Sequence, residues 1–467
     1  MQARASAFMN PNFDRISRER SRFYVNLRTQ QRSKAAFQRR FRPFSEEIKA
    51  KYTQEKSEIV PDQKSLKEMI ETGFNPQLLK EIAENKSPFL SDFMWNLGLI
   101  TSEILNDSQT TAYRDLLPVL IQLITPEMGL TASLAMWVLS NLSMHSVEIC
   151  QIVVSFGVIS RLMAMLQSAI FSDFRGVTWT LMHILANYPC ETGLFHADWL
   201  RHLLTLQTRT MDAAVSTDIL FISAAISGKD PGLIPILLEN DYAASVVRLL
   251  NHSNTEVRLA ALKVVCVIAE STSSGALLQW GALEMLIELL KCENHRMVLE
   301  SLRALQGLLA VPNRAVTKRV VSLSLVSLLI RVIRLEQHLL ALHGLITLSY
   351  LLQDRFWILT HSLLEQGIVP ILLSVLRSRH YEQVEIALDV LRVLLEVSVE
   401  ISLEQGRNEA LEELIEGGAE EVLERLFTSA NGEIAKSALV ILERYFTPAE
   451  EEDEEMDSLA MIEQYDF

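Results

Sequence analysis

The chain has 467 residues, of which 49% are hydrophobic, 22% charged and 7% aromatic, with a formal net charge of −15. This apolar content excludes a broadly disordered chain, and the length allows several domains or one long repeat array with a buried core. Gly 17 and Pro 13 are too few turn residues for a β-sandwich or barrel of this size, so the chain is expected to be mostly helical. The longest run free of Asp, Glu, Lys and Arg, 128–147, is broken by Thr, Ser, Asn and His. It falls short of the roughly 20 predominantly apolar residues that span a bilayer. The Arg-rich opening lacks the apolar core of a secretory signal. Cys150, Cys190, Cys266 and Cys292 are dispersed in apolar segments and are expected to be reduced, buried thiols of a cytosolic or nuclear protein.

Residues 1–45 read as a basic arm. Within the first 42, eleven Arg or Lys stand against Asp14 and Glu19, a net of +9 that leaves −24 on the rest of the chain. Arg22, Arg28, Arg32, Arg39 and Arg40 recur at steps compatible with a helix, so the arm is expected to fold on an acidic partner. Residues 46–80 read as a polar linker. From 81 to 447, apolar helical patterns alternate with short polar breaks. Setting similar segments under one another aligns Trp95 (MWNLGLI), Trp137 (MWVLSNL), Trp179 (TWTLMHI), Phe221, Lys263, Arg303, Leu345 and Asp389. Their successive spacings are 42, 42, 42, 42, 40, 42 and 44 residues. A second landmark is a glycine opening an apolar helix, at Gly157, Gly281 and Gly367.

A period near 42 falls in the armadillo/HEAT range of helical repeats. One such unit cannot cover its own apolar face, so neighbours stack and leave a long concave surface. The expected fold is all-α, an armadillo-repeat right-handed superhelical solenoid of about nine to ten repeats, with residues 407–446 as a capping repeat. Residues 448–467 form an acidic tail, in which Glu450 to Phe467 hold nine acids and no base.

The aligned tryptophans carry the most specific signal. Trp137 and Asn141 are an i, i+4 pair on one helix face, and an Asn amide can both donate to and accept from a peptide backbone. Indoles on successive repeats make slots for Lys or Arg stems, with a cation–π contribution of roughly 0.5–2 kcal/mol each. The competing expectation is that these indoles are core residues that share a register by chance.

Three segments together resemble importin alpha, the armadillo-repeat adaptor of nuclear import. Arg18-Glu-Arg-Ser-Arg-Phe-Tyr-Val-Asn-Leu-Arg28 with Gln38-Arg39-Arg40 is similar to that family's importin-beta-binding segment. MWVLSNL and GVTWTLMHILANYP are similar to its W-x-x-x-N helices. EIAKSALVILERYF followed by EEEDEE is similar to its last repeat and acidic tail. The resemblance implies that the arm binds importin beta through Arg18, Arg20, Arg22, Leu27, Arg28, Arg32, Lys34, Arg39 and Arg40. It implies that a groove binds the basic nuclear localisation signals of cargo through Trp95, Trp137, Asn141, Trp179 and His183. It further implies recycling by an exportin with Ran, and shuttling between cytoplasm and nucleus. A scaffold of the same descent, dedicated to one specialised partner, is the alternative.

The chain departs from that pattern at Leu99, His183, Ala225, Val267, Gly307, Ser349 and Val393, where the family carries Asn, so only Asn141 keeps it. A cation such as Arg303 at a Trp position is expected to repel a basic peptide, which confines binding to the first half of the array. By the resemblance, His145 replaces an acid that grips the key signal lysine, with Glu148 the nearest carboxylate, and Gln38 replaces a lysine of the arm. Self-inhibition by the arm is therefore expected to be weak. Cys292-x-x-His295 has the spacing of half a zinc site, but structural zinc takes four ligands. No nucleophile motif or phosphate-cradling loop is present, so no enzyme, metal, cofactor, nucleic acid or membrane insertion is expected.

Overall fold

The computed structural model describes residues 50, 52–53, 89–102, 113–188, 195–335, 337–405 and 408–446, excepting the side chains at 89, 145 and 401–405. The basic arm and the acidic tail lie outside these residues, as does nearly all of the linker. The described residues hold helices and no strand, and no single helix among them is long and apolar enough to cross a membrane. They fall into two compact units, one running to Tyr242 with His252–Val264 added, the other made of Ala243–Asn251 and the chain from Val265 onward.

The first unit contains α1 (Phe89–Ser102), α2 (Leu117–Gln122), α3 (Gly129–His145), α4 (Val147–Ser155), α5 (Val158–Gln167), α6 (Phe174–Asn187), α7 (Ala197–Arg209), α8 (Ala213–Lys229) and α9 (Ile234–Leu238). The repeating unit is clearest in α4, α5 and α6, two short helices and a longer third. Third helices pack on one another in sequence, α1 on α3, α3 on α6 and α6 on α8. This explains why α3 is buried nearly all round, with Ser133, Ser140 and Ser143 sealed among Leu134, Met136 and Leu142. Thr180 of α6 donates both back to the Gly176 carbonyl of its own helix and across to the Met136 carbonyl of α3 at 3.1 Å, so its buried hydroxyl is satisfied.

After α10 (Tyr242–Leu249) and α11 (Thr255–Ala269), the second unit continues with α12 (Gly275–Gln279), α13 (Ala282–Leu289), α14 (His295–Leu309), α15 (Arg314–Ser322), α16 (Leu325–Ile333), α17 (His338–Leu351), α18 (Trp357–Glu365), α19 (Ile368–Leu376), α20 (Tyr381–Gln405), α21 (Glu409–Glu416), α22 (Ala419–Phe427) and α23 (Gly432–Tyr445). Here too the third helices α14, α17, α20 and α23 pack in series. Three short-range devices recur in both units. Asp or Asn caps several third helices, as Asp173 accepts from the Gly176 N–H and Asn294 from Arg296 and Met297, each worth about 1 kcal/mol. Cations and amides cap carbonyls one repeat away, as Lys229 does at Leu185 and Tyr188 and Arg331 at Leu290.

The third device is the turn between first and second helices, where Gly157, Gly281, Gly367 and Gly418 stand at φ between +68° and +75°. These include the three glycines singled out by the sequence. Ser324 adopts φ +57° at the corresponding place before α16, so the fold imposes this left-handed turn even where the residue resists it. Replacing Gly367 with Ala should cost the second unit about 1 kcal/mol, read as a lower denaturant midpoint. An unchanged midpoint would refute the strain argument.

The third helices thus match the 42-residue register, but the register does not present every aligned residue outward. Leu345 is fully buried, because α17 is wrapped by α14, α16 and α20. Cys150 and Cys266 are buried as expected, whereas Cys292 is only half-buried, in the turn after α13. Burial pushes the Cys150 thiol up to about 12, far from thiolate chemistry. Cys190 lies outside the described residues.

Candidate functional site

Trp95, Trp137 and Trp179 lie on α1, α3 and α6, three successive third helices of the first unit, and all three are half-buried. Trp95 and Trp137 touch, with ring centroids 5.6 Å apart and planes tilted by 53°. Gly98 makes that approach feasible. The six-membered ring of Trp137 rests where a Cβ on Gly98 would stand, so only a residue without a side chain lets α3 deliver its indole to α1. The Trp179 ring packs on α6 against His183, edge to face at 4.1 Å.

The polar residues beside the indoles turn inward. Asn141 is 9% exposed and donates its amide to the Gly98 carbonyl at 3.1 Å and to Thr101 Oγ1 at 3.3 Å. This pair of bonds ties α3 to α1 next to the Trp137 contact. His183 is 2% exposed and its Nδ1 shares a hydrogen bond with the Ser140 hydroxyl of α3. The sequence reading set both residues among ligand-contacting groups, and the structure places them beneath the indoles as struts between third helices. A buried carboxylate, Asp218 on α8, accepts from Thr178 next to Trp179 at 3.3 Å. Phe221 and Lys263, the next register positions, are half-buried.

One residue of the site escaped the sequence reading. Tyr52, assigned there to the linker, stacks on Trp95 with centroids 4.2 Å apart and planes within 8°. It is 7% exposed. Burial pushes its phenol pKa up, and a hydrogen bond with Asp92 together with the charge of that carboxylate adds to the effect. Tyr52, Trp95 and Trp137 therefore form one continuous aromatic run. The available signal was its position, since Tyr52 stands 43 residues before Trp95, close to one repeat period.

Glu148 is exposed and ion-paired with Arg114, and the side chain of His145 lies outside the described residues. So do Arg18, Arg20, Arg22, Leu27, Arg28, Arg32, Lys34, Arg39 and Arg40, with Gln38. In the second unit, Arg303 is buried and faces Glu300 at 3.5 Å. Its charge is compensated inside the unit, which corrects the expectation that it would meet a basic peptide and repel it. The loss of an indole at that position remains.

No family model matches the chain. Over 235 residues it is 23% identical to importin subunit alpha-1b of Oryza sativa subsp. japonica, covering 50% of this chain and 44% of that protein. Over 230 residues it is 22% identical to importin subunit alpha-3 of Arabidopsis thaliana, covering 48% of this chain and 43% of that protein. The matched stretch thus spans less than half the length of these curated relatives. Among solved structures, an engineered protein superimposes with a TM-score of 0.61 at 20% identity, over 82% of this chain and 94% of that one. At that identity the likeness speaks for the fold alone. The chain is an all-α protein of the armadillo-repeat fold with distant sequence similarity to importin alpha subunits.

Proposed function

We propose that this chain is a non-enzymatic adaptor that holds a basic, extended segment of a partner protein along the Trp95, Trp137 and Trp179 face. The observation that carries this reading is the set of three half-buried indoles on successive packed third helices, spaced by one repeat. Packed helices lie about 8–10 Å apart and an extended chain rises about 3.3 Å per residue, so one repeat addresses about three ligand residues. The Trp137 and Trp179 indoles offer a face to an aliphatic stem and a π-cloud to the terminal cation, while Tyr52 covers one face of Trp95. His183 and Asn141 act in this reading by fixing Trp179 and Trp137, since both are committed to neighbouring helices. The likeness to importin alpha subunits extends the proposal. The basic signal would be a nuclear localisation signal, the arm would engage importin beta, an exportin with Ran would recycle the adaptor, and the protein would shuttle between cytoplasm and nucleus.

Replacing Trp137 and Trp179 together by Ala should weaken binding of a Lys/Arg-rich peptide by tenfold or more, about 1.4 kcal/mol, in a calorimetric titration of the full chain. Affinity that survives the double change refutes the proposal. A second reading, a scaffold dedicated to one specialised partner, is favoured by the inward turn of Asn141 and by Tyr52 covering Trp95. Capture of many basic-signal proteins by the immobilised chain would support the general adaptor, and capture of one alone the specialised scaffold.

A further inference from the structure

From Ser301 to Leu335 the chain carries six cations and no acid, although the whole protein is at −15. Three of the six are committed internally. Arg303 faces Glu300, Arg319 pairs with Glu284 at 2.5 Å, and Arg331 caps the Leu290 carbonyl. Arg314 and Lys318, both exposed on α15, have no carboxylate partner among the described residues. They lie 5.2 Å and 5.9 Å from the centroid of the Phe356 ring, at the start of α18. Around this pair the surface is apolar, with Val311 71%, Trp357 52% and Ile358 37% exposed. An exposed indole flanked by unpaired cations on an acidic protein suits a segment that is itself acidic and apolar.

This chain contains such a segment. Glu450 to Phe467 hold nine acids and no base, followed or interleaved by Met456, Leu459, Met461, Ile462, Tyr465 and Phe467. Three residues separate the last described one, Phe446, from the first acid. The path is short, because α23 packs on α20 and α20 on α18. Two helix-to-helix steps are about 20 Å, whereas the 21 residues after Phe446 reach about 70 Å when extended. Tethering holds the segment at roughly millimolar effective concentration. We propose that the acidic segment Glu450–Phe467 docks on the patch of Arg314, Lys318, Trp357, Ile358 and Val311, its carboxylates on the two cations and its apolar residues against the exposed indole. The basic arm is a poor occupant of this patch, since like charges oppose it.

The test uses the full chain and a carbodiimide, which joins an amine directly to a carboxylate only when the two meet. At low salt, Lys318 should be linked to carboxylates between Glu450 and Asp466 within a single chain. The yield should fall about fivefold or more at ~0.5 M salt, where the Debye length is a few ångströms. In parallel, a glutamate-specific protease should cut the tail about fivefold faster in the Arg314→Glu, Trp357→Ala double variant than in the parent, with the helical signal unchanged. Links from the tail to Lys34 of the arm, links only between chains, or links confined to Lys436 on the adjoining helix would each overturn the proposal. So would equal cleavage rates in parent and variant, including the case in which the patch serves an acidic segment of another protein.

Discussion

Acidification from pH 6.5 to pH 4 should remove about 3 kcal/mol of stability from the second unit through His343 alone. His343 is fully buried on α17. Burial first, and then the nearby Arg303 charge, bring its pKa from 6.5 down to about 3 against the opposing pull of Glu300. Gln306 donates its amide to His343 Nδ1 at 3.2 Å, to the His343 carbonyl at 3.0 Å and to Thr347 Oγ1 at 3.1 Å. Nδ1 is thus an acceptor facing a donor, and a proton there would set donor against donor beside a guanidinium. The sign follows from the depressed pKa. The unfolded chain takes up a proton as pH falls through 6.5 while the native unit refuses it until about 3, so the stabilising contribution is full above 6.5 and is lost on descending that window. Hydrogen exchange of the α14 and α17 amides at pH 7 and pH 4 would report it, compared with a His343→Asn variant that keeps an acceptor but does not titrate. The parent should lose about 3 kcal/mol more than the variant between the two pH values. Equal losses would show that His343 titrates normally.

A methyl group on Gly98 should cost about 2 kcal/mol in a chain that keeps Trp137 and stabilise one that lacks it. In the parent, the Cβ of Gly98→Ala meets Trp137 ring atoms, and the indole cannot back away while Asn141 and its neighbours hold α3 against α1. In the Trp137→Ala background the space is free, and only helix propensity remains, which favours Ala over Gly by about 1 kcal/mol. A double-mutant cycle by denaturant unfolding should therefore give a coupling of about 3 kcal/mol with a reversal of sign. An additive cycle would mean that Trp137 does not rest on α1 in solution. Peptide affinity should follow, because a displaced Trp137 no longer stands in register with Trp95.

How far the chain announces this site depends on the residue. The 42-residue interval of Trp95, Trp137 and Trp179 is legible because a helical repeat writes its geometry into covalent spacing, and the three helices do carry their indoles at that interval. The glycines at 157, 281 and 367 are legible for a similar reason, since their turn demands φ > 0 and glycine meets it without strain. An amide or imidazole at i+4 from an indole, as at Asn141 and His183, satisfies a sequence pattern equally well facing a ligand or facing Gly98 and Ser140 of the adjoining helices. The same holds for Arg303, whose charge looks exposed until Glu300 is found beside it in a buried pair. Tyr52 was hidden by its surroundings, a polar stretch without apolar periodicity.

Composition, periodicity and charge blocks by themselves determined the helical class, the repeat length, the placement of the indoles and the polarity of the two ends of the chain. These are properties of local conformation and of order along the chain, which no fold can alter. Tertiary packing decided which polar groups face inward, which cations are neutralised, and which aromatic residue covers Trp95. Asn141, His183 and Trp95 meet partners some 40 residues away, Arg303 one only three residues off, and burial makes an unmatched polar group so costly that the neighbour, more than the residue's own type, dictates where its side chain goes.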